Sequence, residues 1–156
     1  MTIIFIHGLD SSSQGTKATW FRRHFPAILL PDFNGSLAQR LKKLQAIAAD
    51  RPDLLLIGSS FGGLVASIFG LEHPSLVKRL ILLAPALNFP PFSQYAASTC
   101  QIPTHIYIGR NDTVCPPEEV LAAATRFFTR LTIHQSDDDH LLHKTFTAIN
   151  WTSLLS

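Results

Sequence analysis

The sequence predicts an α/β fold, a three-layer sandwich in which a mostly parallel sheet of about six strands is flanked by helices. Six short apolar runs carry this prediction, at residues 2–7, 27–31, 54–58, 79–84, 104–109 and 131–135. Most of the runs are nearly continuous instead of alternating, which is typical of strands buried on both faces of a parallel sheet. They lie too far apart for hairpins, and helical patterns separate them, so strands and helices alternate.

The first predicted helix begins at a capping box. Ser36 and Gln39 have the spacing at which two side chains bond each other's backbone amides at a helix start. Apolar residues between 37 and 48 then recur with the period of one helix face, and the helix stops before Pro52. This helix is therefore expected to cover one face of the sheet.

Three further helices follow from similar patterns. Apolar residues at 64–69 mark one helix, which Pro74 ends because the residue before a proline is pushed out of the helical region. Prolines and acidic residues at 116–119 open the next helix. A last helix is predicted around 143–154, where it would bury Phe146.

Composition and charge exclude several classes of protein. A length of 156 residues, with 46% hydrophobic and 15% charged residues, fits one folded domain over residues 1–156. The net charge is only +2, and the basic residues are scattered, so no nucleic-acid surface is expected. No apolar run reaches the roughly 18 residues of a membrane span, and no signal peptide is recognisable. We therefore expect a soluble, cytoplasmic protein that acts on a small molecule, in an oligomeric state that the sequence does not indicate.

The cysteines and the aspartate run do not predict a metal site. Cys100 and Cys115 match no metal or redox spacing and are expected to be free thiols. The carboxylates at 137–139 are consecutive, and such side chains do not converge on one ion without other ligands. A solvated loop is the prediction there, with no metal and no organic cofactor.

The stretch at 58–62, GSSFG, carries the main candidate for a nucleophile. It fits the pattern G-x-S-x-G with Ser60 at its centre, whereas Ser59 has the wrong spacing to the glycines. A strand run precedes it and a helix face follows it, so the glycines make room for a sharp turn that exposes a serine oxygen. A phosphate loop is excluded because Leu64 and Val65 stand where Lys and Ser or Thr are required. A turn that only packs helix against strand is the remaining alternative.

A serine nucleophile requires a base and a group that orients the base. Asp112 follows the strand run at 104–109, and His140 follows the run at 131–135, which gives the chain order serine, acid, histidine. Asp112 could instead serve only as a turn residue. His143 is a rival base, but His140 comes first after the strand and precedes two leucines that can anchor its loop.

The first strand ends at His7 and Gly8, where a backbone N–H is expected to face developing negative charge. The amides of Leu9 and Phe61 are the predicted pair of donors for that charge. His7 itself is expected to organise the loop and not to take part in catalysis.

The segment 85–103 is the least regular part of the chain and is predicted to hold one short helix at most. It contains Phe89, Phe92 and Tyr95. These aromatic residues are expected either to form an apolar wall for a ligand or to cap the core beneath the segment.

Together these motifs resemble the α/β-hydrolase superfamily over nearly the whole chain. The stretch IFIHGLDSS is similar to its oxyanion strand and loop, LIGSSFGG to its nucleophile elbow, YIGRNDTVCP to its acid turn and SDDDHLL to its histidine loop. The chain begins with the strand that comes third in that fold, and the connection that often forms a lid is only about twenty residues long. The resemblance therefore implies a minimal, nearly capless, esterase-like member with a six-stranded sheet.

The expected function is that of a serine hydrolase cleaving a carboxylic ester or thioester through a catalytic triad and an acyl-enzyme. Ser60 would attack the carbonyl, His140 would transfer the proton and Asp112 would orient His140. Amidase and carbon–carbon bond hydrolase activities stay open, because one constellation serves many leaving groups. Outside the enzymes, a non-catalytic ligand-binding or interaction module on the same fold is the alternative.

Overall fold

A five-stranded parallel sheet forms the centre of the protein. The computed structural model describes residues 1–95 and 97–156. The strands are β1 (Thr2–Ile6), β2 (Leu54–Ser59), β3 (Val77–Leu83), β4 (Thr104–Gly109) and β5 (Leu131–Ser136). They lie in the order β1-β2-β3-β4-β5, and each neighbouring pair is parallel. The predicted α/β class with a parallel sheet is confirmed.

The predicted count of six strands is wrong by one. The run at 27–31 meets β1 only through Leu29, whose N–H and C=O each form one 2.9 Å hydrogen bond with that strand. Pro26 precedes this run and Pro31 is its last residue, and a proline has no N–H to donate to a ladder. Pairing is therefore limited to an isolated bridge beside β1.

Helices cover both faces of the sheet. One face carries α1 (Thr16–His24), α5 (Thr145–Ala148) and α6 (Trp151–Leu154). The other face carries α2 (Leu37–Ala48), α3 (Phe61–Glu72) and α4 (Pro117–Phe127), with a 3₁₀ helix at Pro90–Tyr95. Taking length and apolar character together, every helix in the described ranges falls short of a bilayer span.

Alternating strand residues separate two hydrophobic clusters, as the two-residue period of a strand requires. Leu56 belongs to the cluster that contains residues of α2, α3 and α4, whereas its neighbour Ile57 belongs to the cluster with α1, α5 and α6, and both side chains are fully buried. Each such burial contributes roughly 1.5–3 kcal/mol relative to an exposed side chain. The centre of the sheet is therefore a rigid base for the loops at its edge.

The helix ends follow local hydrogen bonding. In the predicted capping box, the N–H of Gln39 donates to Ser36 Oγ at 3.2 Å and the N–H of Ser36 donates to Gln39 Oε1 at 2.8 Å. The helix predicted over 143–154 is divided into α5 and α6. Ile149 is extended, with φ −64° and ψ 135°, and the Asn150 side chain caps the start of α6.

The direction of chain winding reverses at β1. The bridge at Leu29 lies on one side of β1, and β2 lies on the other. In open parallel sheets, ligands bind outside the carboxyl ends of the strands at such a reversal. A cavity of about 440 Å³ lies at this place, lined by residues of the loops that follow β1 and β2.

Candidate active site

Ser60 stands on a sharp turn between β2 and α3. Its backbone has φ 54° and ψ −116°, a conformation that costs a non-glycine residue about 1–3 kcal/mol. Three hydrogen bonds of 2.9 Å hold the turn: the N–H of Ser60 donates to Leu83, and its carbonyl accepts from Gly63 and Ala86. The surrounding backbone thus keeps the strained residue in place at the cavity.

Two glycines allow this turn to lie against neighbouring backbone. A β-carbon at Gly62 would overlap the backbone oxygen of Ile6 and lie 2.7 Å from that of His7. A β-carbon at Gly58 would lie 2.5 Å from the Gly62 oxygen. The glycines of the G-x-S-x-G pattern therefore make the close approach of α3 to the end of β1 possible.

The structure brings Ser60, His140 and Asp112 together. Ser60 Oγ lies 3.0 Å from His140 Nε2, and His140 Nδ1 lies 2.8 Å from Asp112 Oδ2. The second oxygen, Asp112 Oδ1, accepts the N–H groups of Val114 at 3.0 Å and Cys115 at 2.8 Å. A carboxylate only accepts, so the His140 proton lies on Nδ1 and the lone pair of Nε2 faces the serine.

Asp138 fixes the loop that carries His140. Its Oδ2 accepts the N–H groups of Lys144 and Thr145 and the hydroxyl of Thr145, and its Oδ1 accepts the N–H of Asp139, all at 2.7–3.0 Å. Burial alone would raise the pKa of Asp138, but these hydrogen bonds outweigh burial and hold it at about 2. The prediction of a solvated loop is wrong for Asp138, whose exposed fraction is 5%.

We expect acid to destabilise the protein through Asp138. Its folded pKa of about 2 lies below that of an unfolded aspartate, so the carboxylate stabilises the fold above pH ~4 and this contribution disappears as the pH falls through 2. The shift corresponds to about 2 kcal/mol in the free energy of unfolding. Urea unfolding of wild type and Asp138→Asn between pH 5 and pH 2 measures it. The variant should lack this part of the acid dependence, and parallel curves for the two proteins would contradict the expectation.

His143, the rival base, lies on the surface beside Asp139. Its Nδ1 is 2.7 Å from Asp139 Oδ2, and the two side chains are 65% and 50% exposed. Of the two histidines, His140 is the one that contacts Ser60.

Asp138, Asp139 and His143 place three possible metal ligands within 4.8 Å of one another. Both oxygens of Asp138 already accept protein hydrogen bonds, so these side chains are satisfied without an ion.

Leu9 and Phe61 border the cavity next to Ser60. Within the described part of the chain, neither backbone N–H donates a hydrogen bond. Phe61 is also the first residue of α3, where the amides of a helix favour negative charge. Both predicted oxyanion donors are therefore available to a ligand.

His7 connects the end of β1 to the chain after the β-bridge. One ring nitrogen, Nδ1, lies 2.7 Å from the Gly8 carbonyl, and the other, Nε2, accepts the N–H of Phe33 at 2.9 Å. A carbonyl only accepts and an N–H only donates, so His7 carries one proton, on Nδ1. Its bonds go to backbone groups that hold the loop containing Leu9.

The three aromatic residues of segment 85–103 divide between the two predicted roles. Phe89 is 42% exposed, lines the cavity, and packs edge-on against Phe61 with ring centroids 5.5 Å apart. Phe92 is buried and Tyr95 is half-buried, and both pack on the core. Only Phe89 therefore belongs to the wall of the cavity.

Cys115 lines the cavity but has an unreactive thiol. Cys100 and Cys115 are both buried and free. Burial and the Asp112 carboxylate raise the pKa of the Cys115 thiol to about 12, and a side-chain hydrogen bond with Ser60 lowers this pKa by a smaller amount. The thiol is therefore protonated at neutral pH and is not a nucleophile. What Cys115 contributes to the site is its backbone N–H, which Asp112 accepts.

Two sequence comparisons bear on this arrangement. The model of the uncharacterised protein family UPF0227 matches residues 2–97, from β1 to the end of the 3₁₀ helix. No curated protein matches the chain in sequence. The match includes the nucleophile turn and the predicted oxyanion residues.

Solved structures share the fold at low sequence identity. Mouse alpha/beta hydrolase domain-containing protein 10 is 18% identical, with a TM-score of 0.78 over 99% of this chain and 90% of its own. Est1E from Butyrivibrio proteoclasticus, with ferulic acid bound, is 16% identical, with a TM-score of 0.82 over 99% and 88%. A monoacylglycerol lipase from Paleococcus ferrophilus is 14% identical, with a TM-score of 0.74 over 98% and 90%. The fold is therefore the α/β-hydrolase fold that the motifs resemble.

Proposed function

The chain belongs to the uncharacterised protein family UPF0227, and we propose that it is a serine hydrolase that cleaves carboxylic esters or thioesters. One observation carries the proposal: a continuous line of hydrogen bonds runs from Ser60 through His140 to the buried carboxylate of Asp112. A serine hydroxyl is a weak nucleophile by itself, and this line supplies both the base and the group that orients it.

In the proposed reaction, Ser60 Oγ attacks the substrate carbonyl while His140 Nε2 takes the serine proton. Asp112 stabilises the resulting imidazolium, and the N–H groups of Leu9 and Phe61 stabilise the tetrahedral oxyanion. His140 then gives its proton to the leaving alcohol or thiol, and the acyl group stays on Ser60. Water repeats the same steps, which releases the carboxylic acid and restores the serine.

The cavity and the similar structures support an ester or thioester as the substrate. A volume of about 440 Å³ falls in the range of small-molecule sites, roughly 300–1,000 Å³. Among the similar structures are Est1E with ferulic acid bound and a monoacylglycerol lipase. An amidase or a carbon–carbon bond hydrolase would use the same residues, so the leaving group is the part of the proposal that substrate screening decides.

Covalent labelling with a fluorophosphonate tests the proposal directly. The reagent should label wild type on Ser60, as located by peptide mass spectrometry, because the activated serine oxygen displaces fluoride from its phosphorus. Labelling should be lost in Ser60→Ala and slowed at least about 100-fold in His140→Ala, which lacks the base. An unlabelled wild type, or equal labelling rates in wild type and His140→Ala, would overturn the proposal in favour of a non-catalytic module.

A further inference from the structure

Lys17 lines the same cavity as Ser60. Lys17 belongs to the first turn of α1, and its Nζ donates a 2.8 Å hydrogen bond to the carbonyl of Leu141. The same ammonium lies 5.6 Å from the centroid of the Phe146 ring. Because a lysine ammonium has three N–H donors, two remain after the bond to Leu141.

Lys17 carries a charge that the protein does not neutralise by direct contact. Within the described ranges, the ion pairs of the chain place no carboxylate within 4.0 Å of its Nζ. Burial lowers the pKa of Lys17, while Asp139 and Asp138 raise it from a longer distance. A charge withdrawn from water without a partner is costly, and such a group in a cavity is a candidate for ligand binding.

Lys17 is positioned on the histidine side of the nucleophile. Leu141, whose carbonyl it contacts, is the residue directly after His140. In acyl transfer by this constellation, the histidine delivers a proton to the leaving group, so the leaving group lies beside the histidine. The ammonium is therefore bound to the loop beside which the alcohol or thiol half of a substrate would lie.

Asp10 is a second charged residue in the lining of the cavity. Asp10 follows Leu9 on the predicted oxyanion loop and is exposed. Its charge acts on the buried guanidinium of Arg40, whose pKa burial lowers and Asp10 raises, and which lies 5.3 Å from the centroid of the Phe61 ring. Asp10 thus belongs to the loop of the predicted oxyanion donor Leu9, whereas Lys17 contacts the loop of His140.

We propose that Lys17 selects esters or thioesters whose leaving alcohol or thiol carries a carboxylate, which the ammonium binds through a charge-assisted hydrogen bond. This role rests on the proposed serine hydrolase function and adds the substrate class to it. A hydrogen bond to a charged group changes an equilibrium by about tenfold to 100-fold. Esters with an anionic leaving group should gain that factor over neutral esters of equal reactivity.

Three aryl esters with related chromophores test whether Lys17 recognises a carboxylate on the leaving group or on the acyl group. The first is 4-nitrophenyl acetate, which is neutral. The second is 3-carboxy-4-nitrophenyl acetate, with the carboxylate on the leaving group, and the third is mono-4-nitrophenyl glutarate, with the carboxylate on the acyl group. The measured quantity is the ratio of kcat/KM for each anionic ester to kcat/KM for the neutral ester. Chemical differences among the esters cancel when this ratio is compared between variants.

The Lys17→Met variant should lower the ratio for the leaving-group carboxylate at least about tenfold, and the ratio for the acyl carboxylate should stay within threefold, that is about 0.7 kcal/mol. Lys17→Arg should retain the preference because it keeps the charge. Lys17→Gln keeps a donor for the Leu141 carbonyl but no charge, so it should lose the preference like Lys17→Met. It also provides a second neutral variant if Lys17→Met folds poorly.

Each alternative gives a different pattern. An equal loss of kcat/KM on all three esters leaves the ratios unchanged and overturns the proposal, because Lys17 would then only hold the histidine loop. A loss confined to the glutarate ester overturns it as well, because the carboxylate would lie on the acyl side. If wild type hydrolyses none of the esters and fluorophosphonate does not label Ser60, the serine hydrolase function itself fails. If fluorophosphonate labels Ser60 but the kcat/KM ratios are the same in wild type and the Lys17 variants, only the role of Lys17 is rejected.

Discussion

A Ser60→Ala variant is expected to lose at least about 10⁴-fold of kcat on any ester that the wild type hydrolyses. The substitution removes the oxygen that lies 3.0 Å from His140 Nε2. What then remains is binding of the substrate and stabilisation of the oxyanion by the amides of Leu9 and Phe61. Initial rates on a series of p-nitrophenyl esters of increasing acyl length measure the loss. The same series shows which acyl group the cavity accepts.

Ser59→Ala is the matched control for this prediction. Ser59 has the same side chain one position earlier, at the end of β2, where it pairs with Leu83 of β3. Because His140 Nε2 bonds the hydroxyl of Ser60 and not that of Ser59, the rate of Ser59→Ala should stay within about tenfold of wild type, roughly 1.4 kcal/mol. If the two substitutions reduce kcat equally, or if Ser60→Ala keeps the wild-type rate, Ser60 is not the nucleophile.

The central strands are predictable because their sequence has few alternatives. A run such as that at 54–58 has the length of a strand and is shorter than an ordinary helix, and β2 begins where the run begins. The run at 27–31 has the same local pattern, but pairing also requires partners along its length. Pro26 and Pro31 reduce the number of N–H groups that can pair with a neighbouring strand. The resulting single bridge is seen only when β1 is placed beside the run.

The candidate site is predictable to the extent that topology limits the choices. In a parallel sheet the carboxyl ends of all strands share one edge, so Ser60, Asp112 and His140 had to lie near one another once the strands were assigned. His140 is favoured over His143 because it comes first after the strand. The turn between the two histidines, in which Leu142 has φ 53°, has no local pattern in the sequence.

Asp138 and Lys17 were missed because their contacts are not local. Nothing in the local sequence distinguishes the three aspartates at 137–139 from one another. Asp138 differs because it accepts backbone N–H groups from residues six and seven positions later, which is not a standard capping distance. Lys17 meets Leu141 across 124 residues of sequence. It lies in a segment for which no helix is predicted from the sequence, and its neighbours are known only once α1 is placed beside the histidine loop.

An Asp112→Asn variant is expected to lose about 10⁴-fold of kcat while the free energy of unfolding changes little. Asp112 Oδ1 accepts the N–H groups of Val114 and Cys115, at 3.0 and 2.8 Å. Only the oxygen of an asparagine amide can accept two donors, so the amide oxygen must take this position. The amide nitrogen then takes the position of Oδ2, 2.8 Å from His140 Nδ1.

That orientation reverses the tautomer of His140. The amide nitrogen donates, so Nδ1 must accept, and the imidazole proton moves to Nε2, where it faces Ser60 Oγ. A nitrogen that carries a proton cannot take the serine proton, so catalysis fails although every heavy atom keeps its place. Steady-state kinetics, urea unfolding and the ¹⁵N shifts of His140 measure the three consequences. Asp112→Ala is the contrasting variant, because it leaves the N–H groups of Val114 and Cys115 without an acceptor and should lose stability as well. A fully active Asp112→Asn would show that the carboxylate does not set the tautomer.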